Sequence, residues 1–184
     1  MHYRVLLILA LMFALIPNCF AKSNHKTHHQ KSTVYPALTF DDYVKSRCKT
    51  NCADSEKIKD IVFKLADDNQ INPFVVLSII SVESGFRMNA KNGSNTGLMQ
   101  INLKYHKSKF PTRNYLDMEQ NLTVGFTILK ECVDRNAGNI ARALRCYNGY
   151  GNTEYVSKVQ KTMAQISKLV DFKEPKNSDI AYVN

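Results

Sequence analysis

From Ala53 to Lys168 the apolar positions recur at three- and four-residue spacing, in blocks divided by short polar stretches. Ile58, Ile61, Val62, Leu65 and Ala66 form the first stripe, and Asp54 stands where it can cap the helix that carries it, which runs to about Asn69. Asn72-Pro73 then joins a capping side chain to a proline at the first helical position, where the missing N–H costs nothing. The helix it opens holds Phe74 to Val82 and closes on Glu83-Ser84-Gly85, with glycine as the stop. Between Met88 and Thr96 the composition turns to Asn, Gly, Ser and Lys, which marks a loop. A further helix is expected from near Asp117, carrying Leu122, Phe126, Leu129 and Val133. A tight turn over Asn136 to Asn139 contains Gly138, and Asn139 caps a short helix through Ala143 and Leu144 to Tyr147. Thr153 is expected to cap a last helix with Val156, Val159, Met163 and Ile166 at helical spacing. No stretch in this region alternates with period two, so the fold class is mainly α, with little or no β-sheet.

The beginning of the chain follows a different pattern. Arg4 precedes an unbroken apolar run from Val5 to Ile16, followed by Pro17 and the small residue Ala21. This is the layout of a secretory signal peptide, residues 1–21, and the run is too short to span a bilayer. Cys19 lies near the cut, but Pro17-Asn18 before it matches a lipid-attachment site poorly. Residues 22–36 read as a basic, disordered leader; His25, His28 and His29 there could meet a metal, but no carboxylate or cysteine stands beside them. One domain is expected over 37–172, with a C-terminal tail over 173–184. No later segment is apolar enough for a stable membrane anchor, and the expected location is periplasmic or secreted.

Cleavage after Ala21 removes one cation, Arg4, from the 25 Lys and Arg, leaving 24 against 16 Asp and Glu, a formal +8. A surface this basic favours a polyanion, which charge alone leaves open between nucleic acid, anionic lipid and a bacterial cell wall; export argues against nucleic acid. Cys48, Cys52, Cys132 and Cys146 survive processing. In an exported chain an even number implies two disulfides, with three possible connectivities, and disfavours the rival reading of a zinc site. Cys132 and Cys146 flank the short turn, so pairing them would pin two helices together.

Glu83 is the unusual residue. It ends an otherwise apolar helix at the negative pole of the peptide dipoles, and a helix apolar all round is buried. Both circumstances favour the protonated acid, as a general acid requires. The plain alternative is a carboxylate that reaches water where its helix leaves the core. Gly97-Leu98-Met99-Gln100-Ile101-Asn102 and Tyr147-Asn148-Gly149 supply amides and aromatics of the kind that line sugar-binding grooves. Each also has a plainer role: Leu98 and Met99 as core, Tyr147 as packing, Gln100 and Asn148 as partners for loop backbone.

Taken in order, Glu83-Ser84-x-Phe86, Gly97-Leu98-Met99-Gln100-Ile101, Asn121 with Gly125, Ala143-Leu144-x-x-Tyr147-Asn148 and Tyr155-Val156-x-x-Val159 resemble the soluble lytic transglycosylase family, over about residues 55–165. The resemblance implies a disulfide-stapled, lysozyme-like catalytic domain that acts on peptidoglycan glycan strands. It implies cleavage of the β-1,4 bond between N-acetylmuramic acid and N-acetylglucosamine, leaving a 1,6-anhydro end. Glu83 would be the single acid and base, first protonating the leaving oxygen and then taking the proton of the muramic C6 hydroxyl. Ser84, Met99, Gln100, Tyr147, Asn148 and Tyr155 would line the groove and orient substrate or Glu83. No metal and no cofactor is implied. The family's pattern is altered at Ser94-Asn95-Thr96, Cys146 and Gly149-Tyr150, which bear on the rims of the groove.

Most glycoside hydrolases use two carboxylates, but a substrate that brings its own nucleophile needs one. Glu154, beside Tyr155, reads as an exposed first-turn acid favourable to its helix dipole. Two other functions share these residues: a hydrolytic muramidase on the same fold, and a non-catalytic wall-binding or assembly protein. Membrane disruption, which the charge alone would allow, leaves Glu83 idle. A small exported enzyme of this kind suits an envelope-spanning secretion, pilus or phage-entry machine as partner.

Overall fold

The computed structural model of the chain describes residues 38–171. The expected signal peptide and basic leader over residues 1–36, with Cys19, His25, His28 and His29, and the residues after 171 lie outside them. Among the described residues the element order is β1 (Leu38–Thr39), α1 (Phe40–Arg47), α2 (Ser55–Asn69), α3 (Pro73–Glu83), β2 (Lys91–Asn92), β3 (Asn95–Thr96), β4 (Ile101–Asn102), α4 (Leu103–His106), α5 (Met118–Arg135), α6 (Ile140–Tyr147), α7 (Thr153–Leu169) and β5 (Val170–Asp171). The fold is mainly helical and lysozyme-like, and its strands are two residues long.

Capping side chains set most helix starts. Asp54 accepts from the Lys57 amide, Asn72 from Phe74, Asp117 from Gln120 and Asn139 from Arg142, each satisfying a first-turn donor that the helix itself leaves unpaired. Thr39 and Asp42 form a reciprocal capping box on α1, a helix that the apolar spacing did not announce. The cap of α7 also differs from expectation. Thr153 is already helical, and the first-turn Glu154 amide is taken by Asn152 Oδ1 at 2.9 Å.

The axis of the core is α3. Val76, Leu77, Ile79 and Ile80 are fully buried, each contributing about 1.5–3 kcal/mol by leaving water. The helix packs most extensively on α7, and α5 packs on α6 and α2. At its end Gly85 and Phe86 both take left-handed backbone, with φ of 57° and 64°. Glycine adopts this conformation freely; phenylalanine does so at a cost that its fully buried ring, edge-on to Phe40 and Tyr43 at 5.9 and 6.0 Å, offsets. The doubled turn sends the chain back along residues 51–53, where Ala53 N–H donates to Phe86 O and Met88 N–H to Asn51 O, both at 2.9 Å.

The expected loop between Met88 and Thr96 is partly ordered as a small antiparallel sheet, β2–β3–β4, while β1 pairs in parallel with β5. Two disulfides staple the fold, and the pairing that the sequence left open is Cys48–Cys52 and Cys132–Cys146. These four thiols are therefore not a zinc site. The first staple closes the segment on which the Gly85-Phe86 turn rests, and the second ties α5 to α6.

Candidate active site

Glu83 is the last residue of α3 and is half-buried on the wall of a cleft of about 560 Å³. Its position is fixed from behind. Two residues earlier, Ser81 Oγ lies 3.0 Å from Tyr43 Oη of α1, in a buried hydrogen bond between helices. The carboxyl has lost most of its water, and burial raises its pKa from 4.5 to about 6. The hydroxyl of Tyr155 faces it and pulls the other way, favouring the carboxylate. Tyr155 Oη is nonetheless buried without a hydrogen bond of good geometry, so the two groups approach each other short of a formed bond.

A buried knot of hydrogen bonds holds the loop that faces Glu83. Asn121, on α5, accepts from Met99 N–H at 2.9 Å and donates through Nδ2 to Thr96 O at 3.0 Å and Tyr115 O at 2.8 Å. The Asn121 amide crowds Gly97, whose φ is 80° and where any Cβ would overlap both Nδ2 and Tyr115 O. At Gly125 a Cβ would overlap Met99 Sδ, so this glycine is what lets the loop lie against α5. Gln100 Nε2 donates to Ala90 O at 3.1 Å and Gly97 O at 2.9 Å, closing the loop from within. Tyr147 Oη donates to Met99 O at 2.8 Å and so joins the end of α6 to the same loop. Burial and the nearby Glu83 charge push the Tyr147 phenol up, and it stays a donor.

Among the residues expected at the groove, Glu83, Gln100, Tyr147 and Asn148 line the cleft together. Ser84, Met99 and Tyr155 do not. Ser84 is buried, and its hydroxyl turns back to Ile80 O at 3.0 Å to satisfy the end of its own helix. Met99 is fully buried against Gly125 and belongs to the core. Tyr155 is 4% exposed and stands behind Glu83, so its reach is to the acid and not to a ligand. Glu154 is exposed, 3.6 Å from Lys158, and lies away from the cleft.

Of the other cleft residues, Tyr150 was expected at a rim of the groove and the rest carried little signal in the sequence. Tyr105 and His106 come from α4, Glu131 and Arg135 from α5, and Tyr150 from the turn after α6. The i,i+4 spacing of Glu131 and Arg135 could have marked them as one pair on a helix face, but nothing in the chain around them shows that the face borders a cleft. Tyr105 and Tyr150 are 69% and 62% exposed, large aromatic faces presented to the same space. Burial and the positive charge of Lys109 hold His106 below its ordinary value, so it is a neutral hydrogen-bonding group near pH 7.

The arrangement is an acid held protonated above the usual carboxylate range, beside amides and open aromatic rings, in a cleft of about 560 Å³. Residues 60–169 match the family model described as "Transglycosylase SLT domain". No solved structure gives a significant match to the chain.

Proposed function

The chain belongs to the transglycosylase SLT domain family, which indicates lytic transglycosylase-type activity on peptidoglycan, and we propose that it cuts the N-acetylmuramic acid–N-acetylglucosamine β-1,4 bond with Glu83 as its single acid and base. The product on this reading is a 1,6-anhydromuramic end. The observation that carries it is the pKa of about 6 at Glu83 on the wall of the cleft.

The steps follow from the placement of the groups. Protonated Glu83 donates to the glycosidic oxygen as the bond to C1 breaks, and the leaving sugar departs with its hydroxyl restored. The carboxylate so formed then accepts the proton of the muramic C6 hydroxyl, whose oxygen closes on C1. Glu83 ends protonated again, so one group serves both transfers. Tyr155 Oη, buried and short of a bond to the acid, is placed to donate once that acid is ionised, which favours the charged state between the two transfers. Gln100 and Tyr147 hold the loop that forms the facing wall, and Asn148 presents its amide beside them. Export supports the same reading, because the apolar run Val5–Ile16 with Ala21 would deliver the enzyme to the wall.

The cleft does contain another carboxylate, Glu131, and that favours a second reading, the hydrolytic muramidase, in which an added base would activate water. Glu131 is already engaged by Lys109 and lies 3.6 Å from Arg135, which suits a charge-balancing role better. Mass spectrometry of digested walls separates the two. Anhydro ends from the wild type, lost in Glu83→Gln and retained in Glu131→Gln, are the expected result; reducing ends would move the chain to the hydrolases. Undiminished cleavage by Glu83→Gln would remove Glu83 from the chemistry, whichever ends were found.

A further inference from the structure

Among the described residues six other than glycine take left-handed backbone. In five of them the protein itself accounts for the choice. Gln70 and Ala137 stand at the ends of α2 and α5, and Asn51, a residue type that tolerates this conformation, turns the chain within the Cys48–Cys52 loop. Phe86 buries its ring completely, and Gln100 closes its own loop with two hydrogen bonds. The sixth is Tyr150, with φ of 64°.

The stop of α6 does not require that conformation of Tyr150. The helix ends on Gly149, whose φ is 77°. Gly149 N–H donates to Cys146 O at 3.1 Å and Tyr150 N–H to Arg145 O at 2.7 Å, so the left-handed glycine is enough to satisfy the last carbonyls. A bulky residue that adds a second left-handed position raises the free energy of the folded chain. Packing of the ring does not offset this. It is 62% exposed on the cleft, and among the described residues its side chain has no hydrogen bond and no ring contact. Tyr105, the other exposed tyrosine of the cleft, stands within α4 on ordinary helical backbone and carries no such cost. A strained residue that faces a cleft and packs on nothing is held for what it does to a ligand.

We propose that Tyr150 is a specificity-determining residue, a platform on the rim of the cleft against which one sugar ring of the strand stacks. The assignment rests on the peptidoglycan reading of the cleft. A pyranose ring presents C–H bonds on its face and hydroxyls at its edge. A phenol matches it, with an apolar face for the ring and a hydroxyl at the edge. Tyrosine has only two side-chain torsions to fix, and the left-handed backbone already sets the direction in which the ring leaves the chain, so little freedom is lost on binding. Taking no part in the proton transfers, the platform holds substrate and transition state alike. Its effect therefore falls on KM rather than kcat.

The chain has no tryptophan, so Tyr150→Trp introduces a single indole at the rim. In the Glu83→Gln background, titration with neutral N-acetylglucosamine oligomers should shift its emission and saturate, with a Kd no weaker than calorimetry gives for Glu83→Gln alone. Tyr150→Phe should keep the affinity. Tyr150→Gly should weaken Kd, and raise KM on walls, by about fivefold at constant kcat. Its Tm should stay at or above the wild-type value, because glycine adopts the turn freely. A ring that served packing alone would do the opposite, with a lower Tm and an unchanged Kd. An indole unmoved by the oligomers, a Tyr150→Gly Kd equal to that of its parent, or no oligomer binding by Glu83→Gln would each overturn the platform. So would weaker binding that came with a fall in Tm. Anhydro ends released by Tyr150→Gly at unchanged KM would remove the platform and leave the transglycosylase reading standing. Oligomer binding dependent on Tyr150, in a wild type that releases no wall fragments, would do the reverse.

Discussion

Replacing Glu83 with Gln should make the protein more stable at neutral pH, by an amount that follows from the burial of the carboxyl. Glutamine keeps the shape of the protonated acid and cannot ionise. In the folded protein the Glu83 pKa is about 6, and 4.5 is its ordinary value. Converted at about 1.4 kcal/mol per pH unit, the displacement amounts to about 2 kcal/mol. Its direction follows from proton counting. Between pH 4.5 and 6 the folded state binds the proton more tightly than the unfolded chain, so stability falls as pH rises through this window. Above about 6 the whole penalty is present, and below about 4.5 none of it is.

Urea denaturation of wild type and Glu83→Gln at pH 4 and at pH 8 gives the comparison. The two proteins should coincide at the lower pH. At the higher pH the variant should be ahead by up to about 2 kcal/mol, or about 4–8 °C in Tm for a domain of this size. An equal difference at both pH values would show that the substitution acts through packing rather than charge. No difference at pH 8 would mean that the carboxylate is well hydrated, and the case for Glu83 as a neutral-pH acid would fail with it.

Three other substitutions probe the scaffold of the site. Asn121→Ala strands Met99 N–H, Thr96 O and Tyr115 O in the interior and should cost about 2–4 kcal/mol, measured by chemical denaturation. Gly125→Ala places a methyl group where Met99 Sδ lies; about 1–3 kcal/mol of destabilisation is expected, with a loss of activity if the loop carrying Gln100 moves with Met99. Opening Cys132–Cys146 by a double Ser substitution, across a sequence separation of 14, should cost about 3 kcal/mol. It should cost more than the same change at Cys48–Cys52, separated by 4, because the longer loop gains more freedom when unfolded; thermal unfolding would rank them.

The helices that were legible in the sequence are those whose apolar residues face one core and whose first turn has an Asp or Asn cap: α2, α3, α5 and α6. Helix α1 was not, because its apolar residues Phe40, Tyr43 and Val44 are few and its mate is the buried Phe86 ring, 40-odd positions away in a left-handed conformation that local pattern does not disclose. The start of α7 was displaced by one residue because Asn152 and Thr153 are adjacent and both have capping chemistry. At the site, Glu83 stood out because a charge at the end of an apolar helix is anomalous in one dimension as well as in three. Ser84 and Met99 were expected at the groove through the family resemblance, with core as the plainer role for Met99, but at a helix end or in a tight loop side chains adjacent in sequence point different ways, and these two turn inward. Glu131, Arg135 and Tyr105 were silent for the opposite reason: each looks like an ordinary surface residue until the tertiary fold gathers them around one space.

The choice of α3 as the carrier of the acid follows from the same electrostatics. A carboxyl on a mobile loop would keep its water and an acidity near 4.5, and at pH 7 only about 0.3% of it would hold a proton. With the pKa at about 6 the fraction is near 9%, roughly thirtyfold more. The free energy that supplies this gain is the same 2 kcal/mol that Glu83→Gln should return as stability, since both measure the dehydration of one carboxylate. Holding the group dry requires an element that cannot relax toward solvent. A helix packed on every side, tied to α1 through Tyr43 and Ser81 and stopped by a turn resting on the Cys48–Cys52 staple, meets that requirement. Loosening any of these ties should move the Glu83 pKa toward 4.5 before it unfolds the domain, so the upper limb of the pH–rate profile is a more sensitive gauge of the scaffold than Tm.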